Sequence, residues 1–267
     1  FLSSLIESVP ALDSLRLAGT IDQAQIERVA QLKLLHIRDH PFGKIAYLKP
    51  DDSVLMGYYR NNSLHALIIP ALIACCFVNT RQMTLAKLVQ IVHFLYPFLQ
   101  SELQLEWKEK DLEALIGQFV SVLIKEGVLI QAKNTLRRPD RSGRCYMFLN
   151  RLALIVQPIL ERYYMTFVVL RQSSKSPMRE PELEQHCHLL AQKISMLHGI
   201  NAPDFFDRLL FRNFLETMSR LDYLKKDAQG ALVFSDALNH VNPDIRKLLS
   251  IEVRSTILTL VSRTTSM

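Results

Sequence analysis

The sequence predicts a mainly α-helical, bundle-like fold carrying two small β-hairpins, and three observations lead there. Apolar residues recur at helical spacing through most of the 267 positions. Two short β-prone stretches, near residues 128–149 and 223–234, break that period. Between the first helices lies Tyr58 to Val78, apolar almost all round from Leu64 onward, and a helix of that kind must be enclosed by others or lie against a membrane. Its apolar run of about fifteen residues falls short of the roughly twenty that cross a bilayer, and Pro70 interrupts it, so burial is the expectation.

Taken in order, residues 1–40 read as helical pieces, with Leu12, Leu15, Ile26, Val29, Leu32 and Leu35 at helical spacing and a break near Gly19 and Thr20. His36 and His40 are placed four apart on a helix in this reading. Pro41, Gly43 and Pro50 then punctuate the chain, and Asp51, Asp52 or Ser53 supplies an N-cap for the helix that leads into the apolar run. Arg60, Asn61, Asn62 and Ser63 stand at the apparent start of that run, where free backbone amides would favour an anion.

After Asn79 comes an amphipathic helix cut by Pro97, then DLEALIGQFVSVLIKEG closing at Gly127. The first hairpin is expected from Val128–Gln131 and Cys145–Leu149, around a basic loop with Arg137, Arg138, Arg141 and Arg144. A long apolar helix from Leu152 to Leu170 follows, and RQSSKSPMREP is the best linker candidate. The last third repeats the plan: a helix ending at Gly199, another opening at Asn201 and Pro203, and a hairpin turning at Gln229-Gly230. Helices followed by a hairpin, twice over, resemble winged-helix lobes. The expected organisation is a helical segment over 1–80, a first lobe over 81–170 and a second over 182–267.

Composition narrows the chemistry. With 22% charged and 49% hydrophobic residues the balance is that of an ordinary globular protein, and a net charge of +6 favours acidic surroundings: phospholipid headgroups, nucleic acid or a phosphorylated substrate. Four cysteines without a C-x-x-C pair point to free thiols in a reducing compartment. Only 8 glycines are present, with no phosphate-binding glycine loop, nucleophile elbow or dinucleotide fingerprint, so no cofactor is expected. No metal is assigned either: His36 and His40 lack the glutamate of a metalloprotease helix, and His186, Cys187 and His188 are too close together to complete a tetrahedral set.

Two polar groups keep alternative readings. The four arginines of the first hairpin loop suit a solvated loop, a phosphate backbone or lipid headgroups. Arg60, Asn61 and His65, the last one turn after Asn61, can orient a phosphate or tie the helix to a neighbouring domain.

Three blocks together, YYRNNSLHALIIPALIA, VQPILERYYMTFVVL and ISMLHGINAPDFFD with the later LDYL, resemble the C-terminal region of bacterial glycerol-3-phosphate acyltransferase, the membrane-associated type. The third block is the most specific, since Leu197 to Pro203 followed by Phe205-Phe206-Asp207 has little chance of arising from helix periodicity. The resemblance implies an enzyme that moves a fatty acyl group from acyl carrier protein or acyl-CoA to the 1-hydroxyl of glycerol 3-phosphate, giving lysophosphatidate. In such a family a histidine acts as general base, oriented by an aspartate, while cations hold the phosphate.

That histidine and aspartate should lie five positions apart, yet His36 precedes Asp39 by three and His240 precedes Asp244 by four. No catalytic residue is therefore carried over. The chain, which opens at Phe1, reads as the non-catalytic C-terminal portion of the enzyme, inactive alone, packing on an acyltransferase domain outside it and peripheral to an anionic membrane surface at the cytoplasmic face of the inner membrane. Arg60, Asn61 and His65 are the candidate interdomain or phosphate contacts. The rival readings are a winged-helix nucleic-acid-binding protein, the less favoured, and a scaffold that docks acidic acyl carrier protein.

Overall fold

The computed structural model describes residues 1–13, 15, 23–173, 178–198, 203–234 and 246–264. Its organising element is a helix of 29 residues, α3 (Pro50–Val78), in which every residue from Ile68 to Phe77 is buried. Pro50 at the first helical turn starts it, with Lys49 as N-cap, in place of the aspartate or serine cap expected from the sequence. The helix runs unbroken through Pro70. The surrounding core outweighs the roughly 3 kcal/mol a proline costs inside a helix.

Before α3 lie α1 (Leu2–Ser8), α2 (Gln23–Gln31) and a hairpin, β1 (His36–His40) with β2 (Gly43–Tyr47). The sequence reading gave helix here. The structure instead pairs His36 with Tyr47 through His40 with Gly43, and Gly43, at φ +113°, takes a backbone conformation closed to most side chains. Pro41-Phe42 between two short runs was the turn signal. The expected break near Gly19 and Thr20 lies outside the described residues.

Around α3 is built a first lobe: β3 (Gln82–Thr84), α4 (Leu85–Leu103), α5 (Leu112–Lys125), β4 (Ile130–Ala132) and β5 (Thr135–Arg137). Thr84 caps α4 by accepting the Lys87 amide at 3.2 Å, and Gln104 ends it in the left-handed region, so α4 passes through Pro97 uncut. Gly127, at φ +70°, closes α5 as expected. The three strands are antiparallel in the order β3-β5-β4, with Leu136 opposite both Met83 and Gln131. The hairpin thus turns tightly at Lys133-Asn134, earlier than the sequence reading placed it. Cys145–Leu149 is no strand but part of α6 (Arg144–Ala153), whose inner face, Leu149, Leu152 and Ala153, packs on α3.

The long apolar helix expected over 152–170 is broken in two: α6 ends at Ala153 and α7 (Gln157–Ser173) begins after a bend of 52°. From α7 a second lobe follows: Met178–Arg179, α8 (Glu180–His198), a 3-10 turn Pro203–Phe206, α9 (Arg208–Arg220), β6 (Leu224–Lys226) and β7 (Leu232–Phe234). Arg179 bridges Ala231, and the Leu232 amide donates to the Met178 carbonyl at 3.0 Å, so this short edge lies along β7 as β3 lies along β5. Both lobes therefore follow one plan: helix, edge strand, two helices and a hairpin whose second strand is central, as in a winged helix. Asp207, accepting the Leu209 amide at 2.8 Å, caps α9, so that helix begins later than Asn201 or Pro203. A last helix, α10 (Ile251–Thr264), packs on α7 and α8. Ser174 to Pro177 of the linker candidate and Gly199 to Ala202 lie outside the described residues.

One core serves both lobes. Their seam is aromatic: Phe98 meets Phe214 at 5.0 Å, Tyr163 stacks on Phe214 at 4.5 Å, and Phe94 and Tyr223 extend the cluster. The fold is mainly α, with three hairpins among the described residues where two were expected.

Candidate functional site

Arg60, Asn61, Asn62 and Ser63 are inside α3, Arg60 ten residues beyond Pro50, so the backbone amides there belong to the helix ladder. The anion site drawn from a helix N-terminus at this point is accordingly removed. The side chains of Arg60 and Asn61 lie outside the described part. His65 is exposed, and it lines a cleft of about 330 Å³ with Ala11, Leu12, Leu15 and the segment Leu103–Trp107.

The far wall of this cleft is held by a small polar lattice. At the end of α4, Gln104 (φ 52°) turns the chain back, and Gln100 Nε2 donates to the carbonyls of Leu105 (3.2 Å) and Trp107 (2.9 Å). The Tyr96 hydroxyl donates to the same Trp107 carbonyl at 2.6 Å, and burial, aided by Glu109, pushes its pKa to about 12. With Leu12, Leu103 and Leu105 as floor and His65 and Glu106 as polar lining, the cleft can take an apolar group against a polar rim.

One residue before the cleft wall, Glu102 enters the seam. Its Oε1 accepts from Arg162 Nη2 and its Oε2 from the Tyr163 hydroxyl at 2.9 Å, while the guanidinium lies 5.8 Å from the Tyr163 ring centre. The Arg162 side chain is 2% exposed and that of Glu102 9%. Burial, then the Glu102 charge, raises the Tyr163 pKa well above its usual value. The neighbouring Glu161 is also buried, and loss of solvent lifts its carboxyl to about 7 against an opposing hydrogen bond from Gln157.

The other polar residues resolve as follows. His36 and His40 sit on a strand, where four residues span about 13 Å, too far for one metal. His36 Nε2 instead meets Asp52 Oδ2 at 2.8 Å, sixteen residues away, tying the hairpin foot to α3. No local spacing signalled that pair. An imidazole oriented by a carboxylate is what a general base uses, yet this one joins two structural elements. His188 Nδ1 donates to the Phe206 carbonyl at 2.6 Å. Cys187 packs inward on α8, its thiol pushed by burial to about 12, and burial raises Cys75 well above the usual thiol value, so neither is a ready nucleophile. Among the described residues no group of three or more histidine, cysteine or acidic side chains is placed to hold a metal.

The basic loop is dispersed. Arg137 is in β5; Arg138 folds over the Tyr146 ring at 5.0 Å; Arg141 and Arg144 face solvent. On α9, the second lobe's counterpart of a groove-reading helix, Arg212 and Arg208 both reach the buried Glu184, at 3.0 and 3.7 Å.

Residues 1–227 match a family model described as the glycerol-3-phosphate acyltransferase C-terminal region. The chain is 38% identical over 255 residues to proteins named glycerol-3-phosphate acyltransferase from Pseudomonas putida and Pseudomonas aeruginosa, and 37% identical to one from Pseudomonas fluorescens. In each case the similarity covers 95% of this chain and 31% of the relative, so the chain spans about a third of the relatives' length.

Proposed function

The chain belongs to the glycerol-3-phosphate acyltransferase C-terminal region family, and from that premise we propose that it is the helical, non-catalytic portion of a glycerol-3-phosphate 1-O-acyltransferase of phospholipid synthesis. It packs on the part of the enzyme that performs the chemistry, at the cytoplasmic face of a bacterial inner membrane. In the whole reaction the 1-hydroxyl oxygen attacks the thioester carbonyl of acyl carrier protein or acyl-CoA. A base takes the hydroxyl proton, and the thiolate leaves. This portion supplies a rigid two-lobed platform, with the His65 cleft and the basic surface turned toward its neighbours.

The observation that carries this reading is the match of residues 1–227 to a family defined by its place at the C-terminal end of a longer acyltransferase. The chemistry of the described residues supports it. Glu102, Arg162, Tyr163 and Glu161 are committed to the packed interior, and His36 to a structural tie. Against the nucleic-acid reading stand Arg208 and Arg212, drawn onto Glu184, and Arg138, folded over Tyr146. Among the described residues no single helix is long and apolar enough to cross a membrane, while α6 and α7, bent by 52°, reach that length and composition only as a pair.

Incubating the purified 267-residue chain with acyl-CoA or acyl carrier protein thioester and glycerol 3-phosphate should give no lysophosphatidate. The same chain should give it when joined to the preceding two thirds of the Pseudomonas putida relative, in place of the region it matches. Acyl transfer by the chain alone would overturn the proposal. In the joined protein Arg60→Ala or His65→Ala should lower activity or yield, and unchanged kinetics and expression would remove those residues from the contact.

A further inference from the structure

From Arg38 to Lys49 every residue of the β1–β2 hairpin and its exit is exposed. Phe42 at the tip is 97% exposed, and Ile45, Tyr47 and Leu48 follow it into solvent. The strands pack substantially only on each other. At the foot His36 meets Asp52 on α3 at 2.8 Å, and beside the tip Lys44 makes a longer approach to Glu27 on α2 at 4.0 Å. Seven of the nineteen large exposed apolar side chains among the described residues fall between Ile26 and Leu55, a span of thirty positions. A two-stranded hairpin open on both faces is marginal in water, and apolar surface concentrated in this way marks a contact site.

We propose that this hairpin is the element by which the region grips the preceding polypeptide, the two thirds of the relatives' length that this chain does not span. The inference rests on the reading of the chain as one portion of a longer acyltransferase and names the surface that joins the two. The relatives favour this occupant, because the missing length belongs ahead of a C-terminal region and the hairpin lies in the first fifth of this chain. Phe42 is the anchor, seated in an apolar pocket of the partner. Arg38, Lys44 and Lys49 outnumber Asp39 around it, so the pocket's rim is acidic. The His36–Asp52 tie presents the arm in a fixed direction, which lowers the ordering cost of docking.

Amide hydrogen exchange tests this without reference to activity. Residues 36–47 would be compared in the chain alone, in the chain joined to the preceding part of the Pseudomonas putida relative, and in both with vesicles of phosphatidylglycerol and phosphatidylethanolamine. Hairpin amides should exchange about tenfold more slowly or better in the joined protein without vesicles, while amides of buried Ile116 and Phe119 on α5 change by less than about twofold and report that the core is folded. Phe42→Ser should abolish most of that protection, whereas Val233→Ser, exposed on the other lobe's hairpin, should leave it. Should the joined protein fail to fold, the preceding part supplied as a separate chain gives the same comparison. Equal hairpin exchange in the joined and isolated proteins would overturn the proposal, as would protection that appears only with vesicles, which would make lipid the occupant. A joined protein that protects the hairpin but transfers no acyl group upholds the docking and counts against the functional reading. Acyl transfer with an unprotected hairpin does the reverse.

Discussion

Replacing Glu102 with alanine should cost the chain about 3–5 kcal/mol, the range for removing one member of a buried ion pair and leaving the other charge enclosed. The setting puts this site within that range: Arg162 is 2% exposed, Glu102 9%, and both carboxylate oxygens are used. The Tyr163 hydroxyl loses its 2.9 Å acceptor as well, and an unsatisfied buried hydroxyl accounts for about 1–3 kcal/mol of the total. The remaining contacts of Arg162 and water entering the vacated space return part, which keeps the sum near 4 kcal/mol, roughly a third or more of a typical stability of 5–15 kcal/mol. At about 2–4 °C per kcal/mol for a chain of this size, the midpoint of thermal unfolding should fall by roughly 10 °C. Urea unfolding followed by circular dichroism and by the fluorescence of Trp107 would measure the loss. The paired replacement of Glu102 by Leu and Arg162 by Met removes both charges at once and should come within about 2 kcal/mol of the parent. A loss under about 1 kcal/mol for Glu102→Ala, or a paired variant as unstable as the single one, would refute the reasoning.

Glu161 should give the chain a pH dependence of its own. Its folded pKa, about 7, stands above its unfolded value, so between pH 4.5 and 7 the folded state holds the proton that the unfolded state has lost. Stability therefore falls as pH rises through that window, by about 3 kcal/mol, and is flat above it. Glu161→Gln should abolish the slope and stabilise the protein at pH 8, which denaturation at several pH values would check. Thiol labelling of the native chain should modify Cys145, which is half-buried, quickly, and Cys75, Cys76 and Cys187, which are fully buried, only on unfolding. More than one fast thiol in the folded protein would contradict the packing of α3 or α8.

Much of the fold was legible because the signals were local. The apolar run Leu64–Val78 required enclosure, and the structure buries its length from Ile68 to Phe77. Gly127 ended its helix, and the turn at Gln229-Gly230 lies between β6 and β7. Where two local signals competed, the reading failed. Leu32 and Leu35 continued a helical spacing that Pro41, Phe42 and Gly43 contradicted, and the strand won. Cys145-Tyr146-Met147-Phe148-Leu149 has strand-like composition, but its Leu149, Leu152 and Ala153 fit a helical stripe that α3 could cover.

The candidate site was less legible, because its partners are far apart in the chain. Arg60 and Asn61 looked like a helix entrance only while Pro50 was taken for a breaker instead of the first turn. His65 was singled out in the sequence, but the cleft it lines is bounded by a segment that turns back at Gln104 in the left-handed region, which no local pattern announces.

The residue pattern by itself therefore determined the helical class, the repeated helix-and-hairpin plan and the family, since each is written in spacing or in contiguous blocks. The three-dimensional arrangement alone decided the projecting hairpin, the His36–Asp52 tie and the union of Glu102 with Arg162 sixty residues away. Charge pairing inside a protein is set by which groups are forced out of water together, and only the closed core determines that.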